Sequence, residues 1–312
     1  SAAIAMSSCF SWLNRENLLR DGQTCMLVYS FAVFSIFSLA RFADSSFKKP
    51  LWFLACIVSY LFSIYSLGHG LFLAIPLIIF AVLLKCPMRY QILLILFSLF
   101  FITTYFVGYI HPSKHGSLQY LLENPLKSLT AFLSTLGHLF YVLGLQFGTT
   151  VENAFWLSVG LGSVIIGCCM FIMHKFIFNK RTFNCYEMAL LALLLFALIT
   201  SSLIAVGRFK LGIYALHSSR YAIVYLITNF CVLLLLLKYV NSSIIRHILV
   251  FSYVCLLAIA QFTKNVTWAW GNDFLIYDHK TSLTALLSEN PNSYPIKDRI
   301  FDKTKMVEQV GE

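Results

Sequence analysis

Charge is scarce in this chain. Asp, Glu, Lys and Arg make up only 12% of its 312 residues, against roughly 25% in an ordinary soluble domain. Acidic residues are the scarcest, 13 against 23 Lys and Arg, which leaves a formal net charge of +10. This composition excludes an ordinary soluble domain. The basic excess does not point to nucleic acid, because the Lys and Arg residues are spread over loops between apolar runs. No two of the nine cysteines form a CxxC pair, so neither a disulfide framework nor a zinc site is suggested. Cys25, Cys56, Cys168, Cys169, Cys231 and Cys255 lie inside apolar runs and act there as small apolar side chains. The chain has no GxxxxGK[ST], no GxGxxG after a strand, no HExxH and no GxSxG. Their absence argues against a nucleotide-driven pump or a soluble-type hydrolase. It also lacks an internal repeat, which disfavours an inverted-repeat transporter. Ionisable residues are almost absent from the middle of its apolar runs, where a coupled transporter would need them.

What is there is apolar. Hydrophobic residues make up 59% of the chain and Phe alone accounts for 29 positions. Mean hydropathy is +0.78. A helix needs roughly 20 apolar residues to cross a hydrocarbon core. The sequence predicts eight spans: Thr24–Ala40, Leu51–Tyr65, Leu71–Leu84, Gln91–Ile110, Phe155–His174, Glu187–Val206, Tyr221–Leu237 and Ile248–Gln261. The fold class expected is all-α, a polytopic transmembrane helical bundle over residues 1–262. Residues 263–312 are expected to form a small extracytoplasmic helical tail, with Trp268 and Trp270 as interfacial anchors. A ninth apolar stretch, Leu118–Leu145, is broken by Glu123, Asn124, Pro125 and Lys127 and again by Gly137, His138 and Gly144.

Basic residues in short loops set the orientation. Arg41, Lys48 and Lys49, then Lys85 and Arg89, then Lys175, Lys180 and Arg181, then Lys238 and Arg246 mark four loops expected to be cytoplasmic. All four share a side only if Leu118–Leu145 does not cross. That segment is therefore expected to be a re-entrant hairpin or an interfacial helix pair, lining a site. Because the first residue is Ser1 and SAAIAMSSCF reads like the end of a span, an N-terminal portion is expected before it.

The connector GRFKLGIYALHSSR (Gly207–Arg220) holds the strongest candidate chemistry. Arg220 follows Ser218 and Ser219 where the next helix should begin, and a helix N-terminus beside a guanidinium is a ready anion site. Arg208 would hold phosphate or pyrophosphate with Arg220, unless both simply snorkel to headgroups. Lys210 and His217 of the same connector are further substrate-binding candidates. His69, between Gly68 and Gly70 at a bend between short spans, can donate to a substrate or act as a base. His111 and His115 would share a metal only on a helix, and Pro112 and Gly116 argue for a loop, so substrate contact is the better expectation. Glu16 and Asp21 lie on the first outer stretch. Glu16 has the spacing of an ion pair with Arg20, yet a carboxylate there is the group that activates a hydroxyl acceptor. Glu123 is a weaker candidate; Glu152 can equally cap the next span, and Glu187 reads as structural. No metal and no cofactor is expected.

Four stretches carry a resemblance: RENLLRDGQ (Arg15–Gln23), SLGHGL (Ser66–Leu71), GYIHPSKH (Gly108–His115) and GRFKLGIYALHSSRY (Gly207–Tyr221). In these the chain resembles a group of bacterial multi-pass membrane proteins whose layout is similar to that of GT-C-type glycosyltransferases. The resemblance implies a polyprenyl-phosphate-linked sugar as donor and an envelope glycan or lipid as acceptor. It places the chemistry on the outer face of the bacterial inner (cytoplasmic) membrane. It implies that Arg208 and Arg220 hold the donor phosphate, with His69 and His111 near the acceptor. Those enzymes carry an acidic motif in their first outer loop, and none is present here, so the base is expected before Ser1. The partners expected are a lipid-linked sugar or other anionic lipid, the surrounding lipids, and a membrane-protein partner or N-terminal segment, with no nucleic acid. Two other readings stand beside this one: an O-antigen polymerase or ligase whose arginines bind a diphosphate leaving group, and a non-catalytic transporter or structural subunit.

Overall fold

The computed structural model describes residues 23–66, 68–107, 118–178, 183–208, 212–217 and 221–259. Glu16, Asp21, His111, His115, Lys210, Arg220 and the tail after Gln261 lie outside them, so the expectations placed there have no structural counterpart.

All regular structure among the described residues is helical. The helices are α1 (Gln23–Asp44), α2 (Pro50–Ser66), a 3-10 turn (Gly68–Leu73) leading into α3 (Ala74–Leu83), and α4 (Met88–Phe106). After these come α5 (Leu118–Glu123), α6 (Pro125–Leu136), α7 (His138–Gln146), α8 (Val151–Phe178), α9 (Cys185–Arg208), α10 (Ile213–Leu216), α11 (Ala222–Leu237) and α12 (Ser243–Ile259). Local chemistry sets several boundaries. α2 and α6 open on Pro50 and Pro125, whose fixed φ and missing N–H suit a first helical turn. α9 opens on a reciprocal cap. The Glu187 N–H donates to Asn184 Oδ1 and the Asn184 N–H to Glu187 Oε2, each at 2.9 Å. Glu187 also pairs with Lys238 at the end of α11, so its structural reading holds. The Asn153 N–H donates to Thr150 Oγ1 at 3.3 Å, so Thr150 caps α8. Glu152 is not the cap; it lies in the first turn, where a negative charge suits the helix dipole.

Four helical stretches are long and apolar enough to cross a membrane: Met26–Asp44, α4, α8 and α9. The α6–α7 pair makes a fifth if counted as one broken span. α2, Gly68–Leu83, α11 and α12 are apolar but shorter. The eight expected spans thus fall on four stretches of spanning length and four shorter ones. The expected Leu71–Leu84 span divides into a 3-10 turn and a ten-residue helix. α8 extends to both sides of its expected bounds. Much of the apolar surface is uncovered: Ile92, Ile95, Leu96, Leu99 and Phe100 are exposed along α4. Contiguous apolar surface of this kind marks contact with lipid or a partner.

Contacts between helix ends fix the direction of each element. At one end, Phe42 of α1 packs on Tyr90 of α4 with ring centroids 4.8 Å apart. There Tyr186 Oη of α9 donates to Asp44 at 3.4 Å. Lys238 after α11 meets Glu187 of α9, and Tyr239 packs on Phe171 of α8 at 5.8 Å. Arg41, Lys85, Arg89, Lys175 and Lys238 therefore gather at this basic end. At the opposite end, Tyr65 Oη of α2 donates to Thr104 of α4 at 2.9 Å. Arg208 of α9 lies by Tyr221 ahead of α11 at this end. So α4 finishes, and α8 begins, at the Arg208 end. The chain between them, with α5, α6 and α7, leaves from and returns to that same end.

Candidate functional site

Two polar clusters sit on the Gly207–Tyr221 connector. The shallower one joins the SLGHG bend to the connector. A Cβ on Gly70 would collide with the Ser63 carbonyl, so only glycine lets the bend fold back onto α2. The Ser63 hydroxyl donates to the Val28 carbonyl of α1 at 3.0 Å, which fixes α2 beneath that bend. His69 is thereby held edge-on to Tyr221, with ring centroids 6.3 Å apart at 67°. The Arg208 guanidinium, from the last turn of α9, lies 5.7 Å from the centroid of the same ring. His69 and Arg208, expected in one site from sequence, are thus brought together around one tyrosine.

The electrostatics of this cluster are unbalanced. Burial, and then the Arg208 charge, push the His69 imidazole down to about 4, so the ring is neutral at ordinary pH. Its Nδ1 is buried with no hydrogen-bond partner among the described residues. No carboxylate pairs with Arg208 among the described residues. A guanidinium with no anion beside a neutral imidazole with an unmet ring nitrogen suits an anionic ligand that also offers a hydroxyl.

His217, expected to contact substrate, is placed elsewhere. It is buried, 7% exposed, and points into the break between α6 and α7. Its Nδ1 lies 3.0 Å from Nδ1 of His138, and its Nε2 lies 2.8 Å from Ser134 Oγ. Ser134 Oγ lies 2.5 Å from Ser158 Oγ of α8. The Tyr141 ring stacks on His217 with centroids 3.8 Å apart at 9°, and Tyr225 packs against His138 at 4.9 Å. Tyr225 Oη donates to the Leu216 carbonyl at 3.1 Å and so pins the connector from below. Burial pushes His217 down to about 3.

The break itself is a backbone crossing. α6 and α7 meet at Gly137 with a 77° bend. A Cβ on Gly137 would collide with the Ser158 carbonyl, and one on Gly162 with the Leu133 carbonyl. Two glycines thus bring α6 and α8 into direct backbone contact. Ser158 is seven residues into α8, about 10 Å below its first turn at 1.5 Å per residue.

Sequence reasoning treated His138 only as a helix breaker and gave no role to Ser134, Tyr141, Ser158 or Tyr225. The available signal was the i, i+4 spacing of Ser134 and His138 across Gly137, in an otherwise apolar run. Among the described residues no group of three His, Cys, Asp or Glu is placed to hold a metal. Comparison with family models, with curated proteins and with solved structures returned no match.

Proposed function

We propose that this chain is a multi-pass membrane protein that binds a polyprenyl-phosphate-linked sugar at the Arg208 end of its bundle and transfers the sugar to an envelope glycan or lipid. The observation that supports this reading most is the convergence of His69, Tyr221 and Arg208, with the Arg208 charge unmatched among the described residues. The basic loops gather at the other end, which by the bias of short loops is the cytoplasmic one. The site is then extracytoplasmic, where a lipid carrier presents its sugar. With its two ends on one side, Leu118–Gln146 is a re-entrant segment that enters beneath this site and returns. Arg208 holds the donor phosphate, Arg220 joins it, and neutral His69 donates to or accepts from a hydroxyl. The carboxylate that activates the acceptor comes from the outer Glu16–Asp21 stretch.

The test uses the full chain in nanodiscs. Binding of a short-chain polyprenyl phosphate is measured for wild type, Arg208→Ala and Arg208→Lys. A charge-assisted phosphate contact is worth roughly 1.5–3 kcal/mol, so Arg208→Ala is expected to bind about ten- to a hundredfold more weakly. Arg208→Lys keeps the charge and loses the planar fork, and falls between. Equal affinity for all three, or equal preference for phosphatidylglycerol, would reduce Arg208 to a headgroup anchor. A transporter remains the second reading, because the buried His138–His217 pair supplies the ionisable group within the bundle that such a protein needs.

A further inference from the structure

We propose that the basic end of the bundle carries a binding site for an anionic phospholipid, formed where the α1–α2 and α3–α4 loops meet. The site lies at the opposite end from Arg208 and does not rest on the reading of that cluster.

Aromatic packing brings the two loops together. The Tyr90 ring, in the first turn of α4, packs on Phe42 near the end of α1 at 4.8 Å and on Phe53 in the first turn of α2 at 4.9 Å. α2 and α4 therefore start side by side. Each loop is a fixed turn. The Phe47 N–H donates to the Phe42 carbonyl at 3.0 Å and the Cys86 N–H to the Ala81 carbonyl at 2.9 Å, closing the C-termini of α1 and α3. Gln91 Nε2 donates to the Cys86 carbonyl at 2.6 Å and ties the second loop to α4. Ser46 and Lys85 take left-handed φ values of 52° and 53° in these turns, where glycine is the usual residue.

The charges on these loops are unmatched. Lys48 and Lys49 of the first loop, Lys85 of the second and Arg89 at the start of α4 are all exposed, and none pairs with a carboxylate among the described residues. The two carboxylates of this end are already engaged. Asp44 pairs with Arg41 at 3.5 Å and Glu187 pairs with Lys238. The helix field does not account for Arg89 either, because the first turn of α4 is the positive end of its dipole and disfavours a cation. Its guanidinium lies 4.7 Å from the centroid of the Tyr90 ring and so is held where the loops meet. Like charges gathered on two adjoining loops repel one another unless an anion lies among them.

The apolar neighbours say which anion. Leu51 and Leu54 in the first two turns of α2 are 77% and 56% exposed, and Met88 and Ile92 in the first two turns of α4 are 68% and 45% exposed. Cations on the loops followed by uncovered apolar turns match a phosphate that carries acyl chains. A free phosphate or an acidic peptide would use the cations and leave those turns bare.

The experiment uses the full chain in phosphatidylcholine nanodiscs doped with spin-labelled phosphatidylglycerol or spin-labelled phosphatidylcholine, with the immobilised lipid read by electron paramagnetic resonance. Phosphatidylglycerol is expected to be held in preference. One basic residue beside an anionic headgroup is worth about fivefold, so Arg89→Gln is expected to lower the preference by about that factor, and Lys48→Gln combined with Lys49→Gln by more. Lys175→Gln removes a cation of the same end, from α8, and is expected to leave the preference unchanged. Equal retention of the two lipids by wild type, an equal loss in Lys175→Gln, or displacement of phosphatidylglycerol by inorganic phosphate at fixed ionic strength would each overturn the proposal.

Discussion

The two histidine environments of the Gly207–Tyr221 connector differ in how their polar atoms are met. His217 is enclosed, and both of its ring nitrogens have partners within 3.0 Å. His69, at the other side of the same connector, has a buried Nδ1 without a partner among the described residues, beside an unmatched Arg208. Buried polar groups are almost always paired in folded proteins, because leaving one unmet costs about 1–3 kcal/mol. A buried histidine with both ring nitrogens met, as His217 has, holds the fold together. One with bonds left open is, on the proposed reading, where a ligand arrives. Stability and binding should therefore separate cleanly between the two regions.

The largest effect is expected at the break beneath His217. Gly137→Val sets a branched side chain against the Ser158 carbonyl, and neither helix backbone can yield without uncoupling α6 from α8. The expected result is no monodisperse protein after detergent extraction. Recovery of a well-folded Gly137→Val protein would show that the two backbones do not meet. A smaller loss is expected for His217→Ala, which leaves Ser134 and His138 facing a cavity and removes the stacking partner of Tyr141. That change is expected to cost about 2–4 kcal/mol, read as a fall in melting temperature. An unchanged melting temperature would move His217 from the fold to the open cluster.

The contrast also explains what could be read from sequence. Apolar runs gave the helices, because a chain in lipid must satisfy its own backbone and helices do so locally. The break within Leu118–Leu145 was legible too, from Gly137 and His138, where α6 and α7 meet at a 77° bend. His69 and Arg208 were legible because each stands out in its own stretch, at a glycine bend and in a polar connector. The deep cluster was not. Ser134, Ser158 and Tyr225 are common residues in apolar helices, and they acquire meaning only when a bend at Gly137 brings α6, α8 and the connector together. Helix lengths were likewise blurred: α1 continues past Ala40 through Arg41 to Asp44, and the expected Leu71–Leu84 span begins inside a 3-10 turn whose last three residues, Leu71 to Leu73, are apolar like the helix that follows.

Acid should act on the same comparison. His69 is held neutral in the fold, pushed down to about 4 by burial and by Arg208, while an unfolded histidine titrates near 6.5. Between those values the unfolded chain binds the proton and the folded chain does not, so stability falls as pH drops through the window. His217, pushed down to about 3 by burial, adds to the loss in the same direction. The His69 contribution alone approaches on the order of 3 kcal/mol by pH 4. Melting temperature is expected to be level above pH 7 and to decline steadily from pH 6.5 to 4.5, with His69→Gln flattening the curve. A wild-type curve that stays level to pH 4.5 would show that His69 is open to solvent.

The smallest effect on stability, and the sharpest separation, is expected at Arg208. Its guanidinium lies in the last turn of α9, with no carboxylate partner among the described residues and one aromatic face beside it. Arg208→Ala gives up a favourable charge at a helix C-terminus and a partly exposed cation–π contact, each about 0.5–1 kcal/mol. It also relieves His69 of a positive neighbour, which offsets part of that loss. The net change is expected within about 0.5 kcal/mol of wild type, even as polyprenyl-phosphate binding weakens ten- to a hundredfold. His217→Ala should show the reverse in the same two assays, a large fall in melting temperature with affinity kept in the fraction that remains folded. If Arg208→Ala melts well below wild type, the guanidinium is holding the helix ends together, and the open cluster belongs with the closed one as part of the fold.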